Sequence, residues 1–423
     1  MNRLSVLDEI FLRSHRGLGT PIVLQGLWRT AEPVHPALLW RVHRDLRTGP
    51  LGRRVVRSRV PGARPRWQPN ESAHPFTMGP DPIPVAAVLD WADRQGAELN
   101  PETGPGWRLS AARLDDGGRV VALTCSHALA DGRALTLAID NALSGTPLAA
   151  PPAGHSDWAD ARRMWATVLG GTARALRHGI PERPSSPPDR KAPPTDRKSL
   201  PGGTITGGAA VTSGAILEIP ARDWNRVAVS HGGTANSLFV HLVANMLWAS
   251  GFPSDTIAAS LPVDTRDEPR VDNDMSMTEV AITRDDTPAT LRRKARAAYE
   301  HRMTSPGGIP EEILQVVPDR WAYRLAKGAG ERDILCSNIG NLPESLLALG
   351  PHGCTGLAAR AIHPGLRPDA LPRTRLSGYL TRIADTYTLS LVSLDPRAIP
   401  TPAALSALAR TALAEHGLRG TAW

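Results

Sequence analysis

Residues 125–132 read CSHALADG, and the fold turns on how that stretch is understood. His127 closes an apolar run, RVVALTCS (119–126), whose composition is that of a central strand. The residues that follow, DGRALTLAIDNALS (131–144), return to helical period, with Leu135, Ala138, Ile139 and Ala142 on one face. The stretch is therefore a strand-to-helix corner. Asp131 stands at an N-cap position, which accounts for it structurally, and Gly132 is tolerated in a first helical turn. His127 is left over. A hydrogen-bonded structural histidine is one reading. The other is chemical: at a buried strand end beside a helix N-terminus, desolvation and the helix dipole both disfavour imidazolium. The neutral imidazole they leave is what a general base requires. Cys125, two residues away, shares a strand face with His127, so a Cys-His nucleophile has to be weighed. A thiol buried on an apolar strand is more often inert packing.

Working outward, WRLSAARL (107–114) and RVVALTCS read as strands joined by DDGG, a hairpin signal. VAAVLDWADRQG (85–96) has helical spacing and ends on glycine. Beyond the corner, residues 181–212 combine Pro, Gly, Ser and mixed charge with almost no large apolar side chains, which reads as a linker. It divides the chain into a segment 1–180 carrying the corner and a segment 213–423. The second segment repeats the mixture. GAILEIP (214–220) and TIAASLPV (256–263) read as strands, and ANSLFVHLVANMLWASG (235–251) as a buried helix with Asn236 as its cap. GIPEEILQVVPDRWAYRLAKG (308–328) reads as a helix broken near Pro318, RLSGYLTRI (375–383) and TYTLSLVSL (386–394) as a hairpin, and 402–416 as a terminal amphipathic helix. The expected class is mixed α/β, without strict parallel alternation.

Composition narrows the function. At 423 residues the chain exceeds what one core usually serves, so two domains are expected. No run of eighteen apolar residues occurs, and Asp8 and Glu9 sit where a secretory signal would be apolar, so a cytoplasmic protein without stable membrane insertion is expected. Three cysteines without C-x-x-C spacing make neither a disulfide framework nor a zinc site, so no metal is expected. The net charge of +8 is spread as arginine among acids, which is not a nucleic-acid footprint.

The pattern H-x-x-x-D-G in HALADG resembles the signature of the thioester-dependent acyltransferase superfamily. That superfamily includes chloramphenicol acetyltransferase, peptide-synthetase condensation domains, polyketide-associated acyltransferases and wax ester synthases. Other pieces occur in the family's order. LSVLDEIFL (4–12) is similar to the opening of wax ester synthases, LPVDTR (261–266) resembles their PVDLR element, SNIGNLP (337–343) their SN-x-G element, and SGYLTRIADTYTLSLV (377–392) a late crossing hairpin. Two departures stand out. Ser126 replaces a second histidine found in many relatives, and Asn236-Ser237 replaces an Asn-Asp pair.

The resemblance implies two chloramphenicol acetyltransferase-like lobes forming a pseudo-dimer with a shared active-site tunnel. His127 would act as general base, taking a proton from a hydroxyl or amine acceptor as it attacks an acyl thioester. Asp131, Gly132 and Arg266 would be structural at the active site, Asp131 pairing with Arg266 through a bidentate fork. Ser126, Ser337, Asn338 and Gly340 would contact substrate. No permanent cofactor is implied. The donor would be acyl-coenzyme A or a phosphopantetheinyl thioester on an acyl carrier protein, and the expected state is a monomer. Two alternatives remain: a condensation-type amide former acting on carrier-bound substrates, and a non-catalytic protein that keeps the fold to recruit a partner.

Overall fold

A computed structural model describes residues 3–79, 81–146, 156–177, 212–300, 310–326 and 331–423. The linker expected at 181–212 lies almost wholly outside the described residues.

Two sheets carry the architecture. The first runs, edge to edge, Ala348–Leu349, His352–Ile362, Val23–Thr30, Arg119–Ser126, Trp107–Arg113 and Thr77–Met78. The predicted hairpin is there, with Arg113 opposite Arg119 and Gly117 at φ +89° in the turn, a conformation glycine adopts without strain. Strand Arg119–Ser126 lies inside the sheet, paired on both sides, and all eight of its residues are buried. This is why its sequence is continuously apolar rather than alternating. The second sheet runs Thr421–Ala422, Ser213–Pro220, Thr386–Ser393, Leu376–Ile383, Ile334–Asn341, Thr256–Asp264 and Met275–Thr283. Its pairings are antiparallel except on either side of Ile334–Asn341. Two large apolar clusters form: one around Trp107 and Leu123, which also takes in Tyr379, Ile383 and Val392 of the second sheet, and one around Trp224 and Phe239.

The chain crosses between the sheets at a place other than the one expected. The hairpin 376–393 forms as read, but both its strands stay in the second sheet. The crossing segment is 348–362, which pairs antiparallel with Val23–Thr30 in the first sheet, Ile362 opposite Val23. Its far face supports the second sheet, where Thr388 Oγ1 donates to the Leu357 carbonyl at 2.8 Å. Nothing local in HGCTGLAARAI marks it as belonging to the other sheet; only an unfilled edge beside Val23–Thr30 does.

Helix Ala235–Ala249 is largely buried, as its sequence indicates. Its cap, however, is Thr234, in a reciprocal capping box with Ser237, and not Asn236. The serine that departs from the family pattern is thus the partner that closes the box. The break at Pro318 is real, with separate helices Ile313–Val316 and Asp319–Ala326 on either side.

Candidate active site

His127 lies directly after the central strand, with its main-chain amide donating to the Ile22 carbonyl at 3.3 Å. The side chain is 8% exposed. Burial pulls its pKa below the ordinary histidine value, opposed by its own backbone carbonyl, by Asp131 and by Asn273. Burial thus favours the neutral imidazole over imidazolium. Phe11, from helix Val6–His15, stacks on the ring at 3.6 Å between centroids and 14° between planes.

Asp131 does two jobs with its two oxygens. Oδ1 accepts the Ala134 amide at 2.9 Å, capping helix Gly132–Ser144. Oδ2 accepts Arg266 Nη2 at 2.6 Å and the Asp274 amide at 3.0 Å. Both side chains of the ion pair are 5% exposed. The expected partnership holds, but the bidentate fork does not form, because the cap already occupies Oδ1. Arg266 instead spreads its donors over the loop 264–274: Nη1 to Asp264 at 2.7 Å, Nη2 also to the Asp272 carbonyl at 2.5 Å, Nε to the Arg270 carbonyl at 3.1 Å. One guanidinium thus ties a loop of the second sheet to the corner that carries His127.

That loop reaches the site itself. Asn273 is 4% exposed, and its amide donates to the His127 carbonyl at 2.8 Å, to Asp8 Oδ1 at 2.8 Å and to the Ala128 carbonyl at 3.3 Å. Its Oδ1 faces His127 Nδ1 at 3.1 Å. Arg53, buried and stacked over Trp67, completes the clasp by donating to the Leu129 and Val271 carbonyls at 2.6 and 2.8 Å. Asp8, Phe11 and Asn273 carry no spacing signal toward His127. Asp8 and Phe11 could have been noticed only because LSVLDEIFL itself resembles a family element.

The remaining candidates divide. Ser126 is buried, and its Oγ accepts the Ala128 amide at 3.4 Å, a local turn bond. Gly132 is not demanded by space: a Cβ there would meet only Ile339 at ordinary contact distance, 3.5 Å. Ser337, Asn338 and Gly340 lie on strand Ile334–Asn341, where the pairing shifts register between Asn338 and Gly340. Gly340 stands at φ +82°, its amide donating to Asn338 Oδ1 at 3.0 Å. Asn338 Nδ2 donates to Asn236 Oδ1 at 3.1 Å, and Asn236 Nδ2 to the Tyr299 hydroxyl at 3.2 Å. Asn338, Asn236 and Tyr299 line a cleft of about 320 Å³ together with Leu261, Pro262, Val263, Asp264 and Cys336; Ser337 and Gly340 are not among its lining residues. The cleft opens because Ile334–Asn341 pairs with Thr256–Asp264 only at Ile334 and Leu335, after which the strands part. Pro262, with no amide hydrogen, cannot extend the ladder.

Cys125 is fully buried and its thiol is pushed up to about 12 by desolvation, which leaves no thiolate for nucleophilic attack. His363, at the end of the crossing strand, faces the Pro21 carbonyl through Nδ1 at 2.8 Å, while its Nε2 is buried without a hydrogen-bond partner. Among the described residues no group of three His, Cys, Asp or Glu is placed to hold a metal ion. No described helix is long and apolar enough to cross a membrane.

Comparison of the sequence with protein-family models and with curated proteins finds no match. Comparison with solved structures does. The first condensation domain of the CDA synthetase aligns with a TM-score of 0.59 at 14% identity over 97% of this chain and 96% of that one. The wax ester synthase/diacylglycerol acyltransferase from Marinobacter aquaeolei VT8 aligns at 0.58 with 16% identity over 98% of both chains. A starter condensation domain of rhizomide synthetase, in complex with C8-CoA, aligns at 0.56 with 14% identity over 98% of this chain and 94% of that one. With two sheets, a crossing strand and near-complete overlap with these structures, the chain has the two-lobed chloramphenicol acetyltransferase-like fold of condensation domains and wax ester synthase.

Proposed function

We propose that the protein transfers an acyl group from a coenzyme A or carrier-protein thioester to a hydroxyl or amine acceptor, with His127 as the general base. The observation that carries this reading is the state of His127: buried, held neutral by desolvation, and fixed by a loop from the other lobe. A neutral imidazole accepts the acceptor's proton as the oxygen or nitrogen attacks the thioester carbonyl; the C–S bond then breaks and the imidazolium returns the proton to the departing thiolate, releasing the thiol and the neutral base. No acyl-enzyme is needed, since a positioned base and two aligned substrates suffice. Asp131 and Arg266 hold the corner rigid and Gly132 opens its helix. The cleft lined by Asn338, Asn236 and Tyr299 takes the thioester's arm, its polar rim matching the amides of a pantetheine chain, with Ser337 and Gly340 on the same strand as Asn338. Ser126, bonded within its own turn, serves the corner's shape. The thioester is a co-substrate, and the working unit is a monomer in the cytoplasm.

The test is thiol release from acyl-coenzyme A thioesters of graded length, offered with alcohol and amine acceptors, and in parallel from the same acyl groups on a carrier protein. Turnover should require both donor and acceptor, and His127→Ala should lose it by about 10²-fold or more while the melting temperature stays close to wild type. Full turnover by His127→Ala, or none by the intact protein with any donor, would overturn the reading, the latter in favour of a recruitment role.

A further inference from the structure

We infer that Asn273 is a positioning residue that sets the tautomer of His127, and so couples the base to the docking of the two lobes. The inference rests on His127 being the base and adds to it how the base is prepared.

An asparagine side chain has a donor end and an acceptor end, and its surroundings decide which faces where. Three acceptors converge on one end of Asn273: the His127 carbonyl, the Ala128 carbonyl and the Asp8 carboxylate. All three can only accept while Asp8 is ionised, and the two carbonyls can only accept in any case. That end is therefore the NH₂, and Oδ1 is left facing His127 Nδ1. An oxygen with lone pairs at 3.1 Å requires a hydrogen on Nδ1. In a neutral imidazole this leaves the lone pair on Nε2, the nitrogen free of Asn273. Were Nε2 to carry the hydrogen instead, two lone pairs would meet in a buried space.

Asp8 anchors the arrangement from helix Val6–His15, where Ser5 and Asp8 form a capping box that fixes the carboxylate. Asn273 itself belongs to the loop held by Arg266 and Arg53. The imidazole is thus oriented by the first helix and a second-lobe loop together: Asp8 and Asn273 are 265 residues apart in sequence, and Asn273 is 146 residues from His127. The rival acceptor is the histidine's own carbonyl, which also favours protonation of the ring. That carbonyl accepts from Asn273 with one of its two lone pairs, so the Asn273→Ala variant decides which acceptor holds Nδ1–H.

The experiment is ¹⁵N NMR of protein labelled at histidine, with the His127 signals assigned by their loss in His127→Ala, alongside a pH profile of kcat/KM. Wild type at pH 8 should show a protonated Nδ1 and a bare Nε2. Asn273→Ala should shift His127 toward the Nε2–H form and lower kcat about tenfold, with KM for the thioester within about twofold. Asp8→Asn keeps an acceptor oxygen for Asn273 and should keep the wild-type tautomer. Should Asn273→Ala not fold, the paired exchange Asn273→Asp with Asp8→Asn keeps the contact between positions 8 and 273, now with position 8 donating, while the His127 and Ala128 carbonyls lose their donor. It places a carboxylate against Nδ1, which should raise the acidic limb of kcat/KM by about one pH unit or more. A bare Nδ1 in wild type, or an unchanged tautomer in Asn273→Ala with the histidine's own carbonyl sufficing, would overturn the inference. So would a paired exchange that leaves the acidic limb where it was. Loss of the catalytic reading would look different: His127→Ala would turn over normally, whatever the spectra showed.

Discussion

Removing Asp131 and Arg266 singly and together measures how the His127 corner is held. Asp131→Ala deletes the N-cap of helix Gly132–Ser144, at about 1 kcal/mol, and leaves Arg266 buried without its main counter-charge. Arg266 still keeps Asp264 at 2.7 Å, so the loss falls at the low end of the range for breaking a buried pair, about 3 kcal/mol in all. Arg266→Ala leaves Asp131 with two backbone amide donors, Ala134 and Asp274, but strips the Asp272 and Arg270 carbonyls of their partner. It should also cost about 3 kcal/mol. The double variant removes both charges and should cost about 4 kcal/mol, less than the sum, giving a coupling of about 2 kcal/mol, in the range of a charge-assisted hydrogen bond. Urea unfolding followed by tryptophan fluorescence, at fixed pH and low salt, reads all four corners of the cycle. Additive single effects, within about 0.5 kcal/mol, would refute the idea that this pair is what clasps the two lobes at the corner.

Acid should weaken the second lobe through its histidines. His241 is drawn down to about 4, first by burial and then by His416, whose ring lies 5.2 Å away, with His231 and Asp286 also facing the group. A folded value below the unfolded one means stability is complete above pH 6.5 and is lost as pH falls from there toward 4, by about 2 kcal/mol after allowing for partial exposure. His241→Gln should flatten that limb, and parallel wild-type and variant curves between pH 7 and 4.5 would show the group is not responsible. At the cleft, Asn338→Ala should raise the thioester KM about fivefold with little change in melting temperature, consistent with loss of about 1 kcal/mol of polar contact. An unchanged KM would place the donor's arm elsewhere.

What could be read without the fold was whatever short-range chemistry dictates. The strand 119–126 announces itself because both its faces are buried, so apolar residues run without alternation from Val120 to Leu123. The turn at 115–118, the N-cap at Asp131 and the break at Pro318 are decided within a few residues of backbone geometry, and each stands where its sequence puts it. Arg266 was reached by likeness of LPVDTR to a family element, since a lone arginine in sequence is otherwise indistinguishable from a solvated one. Tertiary structure decided the rest. Asn236 has the chemistry of a cap, but Thr234 and Ser237 take that place by satisfying each other, which frees Asn236 for Asn338 and Tyr299. The two-pronged Arg266 contact was excluded by a cap bond on the same carboxylate. Segment 348–362 changes sheets because a strand edge 330 residues away along the chain needs a partner, a demand no local pattern expresses. Asp8, Phe11 and Asn273 are ordinary helix and loop residues until folding brings them around one imidazole. Periodicity, caps and breaks are written by neighbours in sequence, whereas the state of His127 depends on desolvation and on donors and acceptors that become its neighbours only in the folded chain.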